Sequence, residues 1–570
     1  WLTICPKRPK PISSAVPRVG SNAHPFLFAA MLDTVRASRP TDGMSHDSLE
    51  TLTREAEMAI AESRADAHDY MVAALGRTAR HEFEAAEALF QHALALEPGN
   101  PAVLTGLAVL RRKQGRLRDA VLACDAAIRS VPHYPDAWLE RGAILASGGS
   151  NSAARDSFAE AARLAPNLAQ AHAGLAGLAA REGDEANARK HAQDALLLDP
   201  INAVATCALA SADLTAKQPQ RVIAPLQALI ARSAQPSPDR SFAWGLLGDA
   251  FDQLQDVNQA YHAYCAAKAD FAAVNAPMAE GQPGHRQFVA SIHSGLAAVP
   301  TAQWQGARNQ QPAHAAEKHV FLLGYPRSGT TLMENVLASL PGVEALEERP
   351  TLSAADRTYL MGDHASVVAG MKRFASLDEG SIAALCRDYW EGVVASGVSP
   401  NARCFVDMDP LKGTRLPFIA KMFPQSRILI MRRDPRDVVW SCFRTNFAMT
   451  SGTLEFTSLE RAARHYAAMM SLTEEAVGIL DLNVMEVHYH RLVQDFDQTT
   501  REVCDFLGLE WSETLRSFDR TAQNRGVATA SSSQVRRGLY DGTRQWERYA
   551  EYLEPVLPIL DPWIERFGYA

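Results

Sequence analysis

At 570 residues the chain is too long for one ordinary domain, and a working figure of roughly 150 residues per domain allows about four units. Its 47% hydrophobic and 21% charged residues describe a folded globular protein and exclude wholesale disorder and collagen-like repeats. Lys and Arg number 57 against 65 Asp and Glu, a formal charge of -8, so no global basic surplus marks a nucleic-acid binder and any anion site has to be local.

The first 45 residues are basic, rich in Pro and Ser, and begin with Trp. They read either as a transit segment or as an extension upstream of a true start at Met31 or Met44. We take the second reading, expect disorder, and leave them out of the fold. The eight cysteines, Cys5, Cys124, Cys207, Cys265, Cys386, Cys404, Cys442 and Cys504, are dispersed without a CxxC pair or a Cys/His cluster of ligand spacing, which predicts neither a zinc site nor a disulfide framework. No stretch approaches the roughly 18 uninterrupted apolar residues of a membrane helix, so no membrane is expected as partner, and the expected compartment is a reducing one, the cytoplasm.

Residues 46–278 repeat themselves with a period of 34: Pro98, Pro132, Pro166 and Pro200 are evenly spaced. Small residues keep the same grid at Ala74, Ala108, Gly142, Ala176 and Ala210, at Ala86, Ala120, Ala154 and Ala188, and at Ala93, Ala127, Ala161 and Ala195. Small side chains let two helices of a hairpin approach, and proline stops the second helix because it lacks the amide hydrogen. The pattern resembles the tetratricopeptide repeat. Trp244, Gly248, Ala260 and Ala267 extend it, giving about six units with the fifth degenerate. Such arrays form α-solenoids whose concave face commonly holds an extended peptide, so a protein or peptide partner is expected there. The run Arg111, Arg112, Lys113 and Arg116 reads as a solvated helix face and turn. Residues 279–316, rich in Gly, Gln and Pro, read as a linker with one short helix, Phe288 to Val299.

The second domain, residues 317–570, opens with His319-VFLLG-YPRSG-TTLMENVLASL-PG. The order is a short apolar strand, a loop with two glycines, and a helix stopped at Pro341-Gly342. Gly324 and Gly329 let the backbone approach an oxyanion, the amides from Arg327 to Thr331 face inward, and Arg327, Ser328, Thr330 and Thr331 add charge and hydroxyls. The glycines have Walker A spacing, but Thr330 stands where the loop lysine belongs, which disfavours a kinase or nucleotidase that works with magnesium and ATP. At this point the chain resembles the sulfotransferase family, whose PRSGTT-type loop binds the 5′-phosphosulfate of 3′-phosphoadenosine 5′-phosphosulfate (PAPS). The resemblance implies a P-loop-like α/β domain with a mainly parallel central sheet, PAPS as donor, and no metal.

The block RILIMRRDPRDVVWSCFRTNF places Arg432 and Arg433 at the end of a strand and Asp434-Pro435 at the start of a helix, which reads as a second, independent anion site. In the resemblance this block holds the 3′-phosphate through Arg433 and Ser441. Tyr489 follows the next strand. The stretch SSSQVRRGLYDGTRQWERYAEYL resembles the loop covering the nucleotide, which implicates Ser531, Arg536, Arg537 and Arg544; Trp546 reads as core or adenine packing.

Sulfuryl transfer needs a base for the acceptor proton and cations on the leaving phosphate. Tyrosylprotein sulfotransferases, which the domain resembles over roughly 250 residues, use the first glutamate of an EE pair as base, and this carries over to Glu347, with Glu348 in reserve and Arg349 beside it. The catalytic set implied is Glu347, Arg327 and Ser531; the nucleotide-binding set is Arg327, Ser328, Gly329, Thr330, Thr331, Arg433, Ser441, Tyr489 and Arg536. One departure stands out. Where those relatives carry the lysine of a D/N-K-x-P motif, this chain reads Asp407-Met408-Asp409-Pro410, leaving either Lys412 or Arg415 to take that part or the electrostatic load to rest on Arg327, Ser328 and Ser531. The expected activity is PAPS-dependent sulfation of a hydroxyl, with a protein tyrosine favoured. The alternative is a catalytically weakened peptide-binding scaffold that retains nucleotide binding.

Overall fold

The structure is a computed structural model that describes residues 48–232, 234–281, 283–306, 316–399, 402–525, 532–536 and 538–570. The expectation for the N-terminal extension falls on residues outside this set, as do Ser531 and Arg537.

A helix Ser48–Ala61 precedes six helical hairpins. Their first helices begin at Ala67, Pro101, Pro135, Ala169 and Ala203, each 34 residues after the last, and then at Pro238. The second helices end at Leu96, Ser130, Leu164 and Leu198, two residues before the recurring prolines. The three alanine series are buried, most of their members completely, because two backbones meet there. Gly142 shows how tight this is. A Cβ on it would lie 2.6 Å from the Phe158 ring, and one on Gly174 would lie 2.8 Å from the same ring, so Phe158 is wedged between the first helices of consecutive repeats. Gly142→Ala is therefore expected to cost about 1–3 kcal/mol of stability by overpacking, despite alanine's better helix propensity, as a denaturation midpoint would report. The fifth hairpin departs from the grid at Pro225, inside its second helix.

The basic run around residue 112 is not uniformly a solvated face. Arg112 is buried and donates through Nε to Glu140 Oε1 at 2.5 Å, tying the second repeat to the third, while Arg111 and Arg116 pair with Glu87 at the surface.

The second domain is built on a five-stranded sheet: β1 (Lys318–Leu323), β2 (Val343–Glu347), β3 (Cys404–Met408), β4 (Arg427–Arg432) and β5 (Asn483–His488), in the order β2-β3-β1-β4-β5. Every pairing is parallel, so all five C-terminal ends lie along one edge. Residues of β1 alternate between two cores. Val320 and Leu322 pack with helix Thr330–Leu337 on one face, while Phe321 and Leu323 share the other core with helix Pro435–Arg444. The helices after β1 and β4 thus leave on opposite faces, which opens a crevice at the carboxyl edge between those strands.

The solenoid is welded to this domain. One core cluster runs from Leu226 and Phe251 through Tyr264 to Trp440, Phe443 and Tyr549. Tyr261 stacks on Tyr552 with centroids 3.8 Å apart, and Asp252 of the last hairpin accepts from Tyr549 Oη at 2.5 Å and from Arg444 at 3.3 Å. Lys268 is buried and donates to the Thr445 carbonyl at 2.6 Å; burial pulls its pKa down to about 8. The segment between the repeats and β1 carries helix His285–Ala297, whose Val289, Ile292 and Leu296 enter the same core.

Candidate functional site

The loop after β1 bends into the left-handed region at Arg327 (φ 70°) and Gly329 (φ 105°). Alternation of this kind turns successive amides toward one concavity, and the first turn of helix Thr330–Leu337 adds N–H groups that helix geometry leaves without intrahelical acceptors. Both glycines are required by space. A Cβ on Gly324 would meet Ser328 Oγ at 2.6 Å and the Met431 carbonyl at 3.0 Å, and one on Gly329 would meet the Tyr489 ring at 2.7 Å. Ser328, Thr330 and Thr331 are all buried in the loop.

One arginine of the loop, Arg327, and one from the β4 side, Arg433, close it. Arg327 donates from Nε to Ser441 Oγ at 2.9 Å and from Nη2 to Gln534 Oε1 at 3.0 Å. Arg433 donates from Nη1 to the Arg327 carbonyl at 2.9 Å and from Nη2 to the Gly542 carbonyl, and its guanidinium lies 4.8 Å over the Tyr489 ring. Burial, reinforced by the neighbouring Arg433 charge, pulls the Arg327 pKa down to about 10, so two cations are held together in a poorly solvated place. Arg433 Nε is buried with no hydrogen-bond partner among the described residues. An anion in this crevice would satisfy that nitrogen and relieve the repulsion, so the residues fit a phosphorylated ligand.

The segment 538–546 is fastened over the crevice by its backbone. Tyr489 Oη donates to the Tyr540 carbonyl at 2.8 Å and accepts from Gly542 N at 3.3 Å, and the buried Asp437 carboxylate accepts from the amides of Arg544 at 2.9 Å and Trp546 at 3.0 Å. Arg327, Ser328, Gly329, Thr330, Thr331, Arg433, Ser441 and Tyr489 therefore converge. Arg536 is placed elsewhere: its Nη1 donates to the Glu182 carbonyl of the fourth repeat at 2.7 Å. The two anion sites read as independent from the sequence are one interlocked unit. Arg432 does not belong to it, because it turns beneath the sheet edge to pair with Glu474 and Glu486, and stacks on Phe567. Gln534, Asp437 and the Gly542 carbonyl had no signal in the sequence, since an amide, an N-terminal helix Asp and a glycine occur throughout.

The carboxylates sit at the other end of the same edge. Glu347 ends β2 in register with Met408, which is in register with Leu322, so its Cα lies two strand spacings, about 10 Å, from β1. Glu348 turns left-handed (φ 47°) and donates its amide to the Met408 carbonyl at 2.7 Å. The residue reaches solvent, yet burial about its carboxyl, with the charges of Asp409, Glu347 and Glu334, pushes its pKa up to about 8. Glu334, on the helix after the loop, is fully buried: Arg525 donates to its Oε1 at 2.9 Å, and Oε2 has no partner among the described residues. Burial outweighs Arg525, and together with the Glu347 charge lifts the Glu334 carboxyl to about 7.

Met408 is fully buried among Leu322, Val406 and Met431 and presents no charge to the edge. Lys412 is buried nearby and engaged by Asp407 and by Thr351 Oγ1 at 3.1 Å; Arg415 is committed to Asp356 at 3.0 Å.

The Glu334 carboxyl yields a prediction for stability. A carboxyl whose pKa rises on folding from 4.5 to about 7 binds more protons in the folded state across that interval, so stability falls as pH rises through it. Glu334→Gln removes the effect, and its unfolding free energy should gain on that of the parent between pH 5 and pH 8, by a difference on the order of 3 kcal/mol. Parallel curves for the two proteins would contradict the assignment.

Comparison with known proteins agrees with this architecture. The sulfotransferase family model matches residues 319–513, and a tetratricopeptide repeat model matches residues 71–135 and 105–169. The chain thus joins tetratricopeptide repeats to a sulfotransferase-family domain. It is 30% identical over 270 residues to an uncharacterised protein of Aquifex aeolicus (strain VF5), covering 45% of this chain and 35% of that one. It is 23% identical over 295 residues to protein-tyrosine sulfotransferase A of Caenorhabditis elegans, covering 49% and 74%, and 27% identical over 222 residues to protein-tyrosine sulfotransferase 2 of Gallus gallus, covering 37% and 57%. The chain therefore spans little more than a third of the Aquifex protein and between half and three quarters of the two enzymes. Among the described residues no helix is long and apolar enough to cross a membrane.

Proposed function

We propose that the protein moves the sulfuryl group of PAPS onto a hydroxyl acceptor, a tyrosine of a protein or peptide being favoured. The observation that carries this reading is the crevice between β1 and β4, where Arg327 and Arg433 interlock and Arg433 Nε is buried without an acceptor among the described residues. Ser328, Thr330, Thr331 and the loop amides then hold the 5′-phosphosulfate, and Arg433 with Ser441 holds the 3′-phosphate. PAPS supplies a sulfuryl group on a good phosphate leaving group. Glu347 takes the acceptor O–H proton as the oxygen bonds to sulfur and the bond from sulfur to the bridging oxygen breaks. Arg327, with Ser328 and Ser531, meets the charge that grows on the departing phosphate. Glu348, held protonated below about pH 8, does not compete for the proton at neutral pH.

The weld between solenoid and sheet supports a role for the repeats in presenting the acceptor. A shallow cleft lies between the last hairpin and the segment following Ser441's helix, lined by Pro238, Phe242, Phe271, Val274, Asn446 and Phe447. Incubation with PAPS and tyrosine peptides, read by mass spectrometry as the gain of one sulfuryl group, tests the activity; a protein that binds the nucleotide and transfers nothing to any hydroxyl would refute it. That second outcome is the scaffold reading, which buried Met408 favours by leaving the edge without the lysine that the resemblance implies.

A further inference from the structure

The fourth repeat carries a cluster that the sulfotransferase site does not use. His172 on helix Ala169–Glu182 faces His191 and Asp194, three residues apart on helix Glu185–Leu198, and one ligand atom from each lies within 4.8 Å of the others. His172 Nδ1 and His191 Nδ1 are both buried with no hydrogen-bond partner among the described residues. The protonation of His172 follows from its other nitrogen. Nε2 lies 3.1 Å from the Pro166 carbonyl, which can only accept, so Nε2 carries the hydrogen and Nδ1 keeps its lone pair. An imidazole anchored through one N–H to a backbone carbonyl is oriented for a metal on the other nitrogen.

The cluster is particular to this repeat. One period earlier the position of His172 is Trp138, whose Nε1 makes the same bond to the Pro132 carbonyl at 3.0 Å, and the position of His191 is Ser157. The repeat scaffold explains the Nε2 bond and leaves the two unsatisfied Nδ1 atoms unexplained. In a tetrahedral shell with bonds of about 2.0–2.2 Å, ligand atoms lie about 3.4 Å apart, so the 4.8 Å limit leaves a closure of little more than about 1 Å at most.

We propose that His172, His191 and Asp194 bind one zinc ion, or another divalent d-block cation of similar ligand preference, with water completing the shell. The ion clamps the two helices of the fourth hairpin together. It thereby stiffens the surface on which Arg536 rests through the Glu182 carbonyl, at the far end of the first of those helices.

The test uses the full chain, prepared without a histidine tag and stripped by chelator. Zinc chloride is titrated by calorimetry and cobalt chloride by visible absorption, which distinguishes tetrahedral coordination. One ion per chain is expected. His172→Trp and His191→Ser restore the residues of the preceding repeat, so both should keep the helical circular dichroism of the parent while losing zinc affinity by more than about 100-fold. No zinc binding by the parent overturns the proposal, as does parental affinity in either variant. Should the bulkier indole introduced by His172→Trp disturb the hairpin, His191→Ser decides alone.

Discussion

Glu347→Gln is expected to lower kcat for sulfuryl transfer by about 10²- to 10⁴-fold while leaving affinity for 3′,5′-adenosine bisphosphate within about twofold. The reason is separation along the sheet edge. Glu347 ends β2, two strands from the loop that follows β1, so it is positioned for the acceptor side of the donor and not for its phosphates. The contrast with its neighbour sharpens the test. Glu348, pushed up to about 8, is already largely protonated at pH 7, so Glu348→Gln should change kcat little there. Transfer kinetics of both variants at pH 7, with calorimetric affinities alongside, check the pair. Equal losses would mean that the carboxylates share the proton, and a loss confined to Glu348→Gln would reverse the roles.

Arg433→Ala is expected to weaken bisphosphate binding by about 10- to 150-fold, the value of one charge-assisted contact. Its guanidinium joins the Arg327 carbonyl, the Gly542 carbonyl and the Tyr489 face, so the variant also loosens the segment over the crevice. Arg433→Lys should recover only part of the affinity, because a single ammonium cannot make those contacts and reach the ligand as well. Arg432→Ala provides the control. It leaves Glu486 without its cation and Glu474 with Arg566 alone, and should lower stability by about 1–3 kcal/mol, while the folded fraction binds nucleotide normally. Titrations and denaturation curves on the two adjacent variants separate binding from folding.

These two arginines mark where the sequence stops being informative. They are neighbours in one basic run, and what divides their fates is the partners they meet: Glu474 and Glu486, 42 and 54 residues beyond Arg432, and a loop more than 100 residues before Arg433. No local pattern encodes that. The repeats, by contrast, were legible because a stacked hairpin imposes the same steric demand every 34 residues, and the loop was legible because only glycine fits at Gly324 and Gly329. The weld between the solenoid and the sheet stayed hidden for a related reason. Asp252, Tyr261 and Lys268 look like ordinary helix residues until the second domain supplies Tyr549, Tyr552 and the Thr445 carbonyl. Glu334 was invisible as a proton-holding group because only burial beside Glu347 lifts its carboxyl to about 7.

The most direct test of the nucleotide site is calorimetric titration of the purified protein with 3′,5′-adenosine bisphosphate and, separately, with magnesium ATP. One bisphosphate site per chain is expected, weakened by Arg433→Ala and undisturbed by magnesium ATP. Binding of magnesium ATP in preference to the bisphosphate, or of neither, would contradict it.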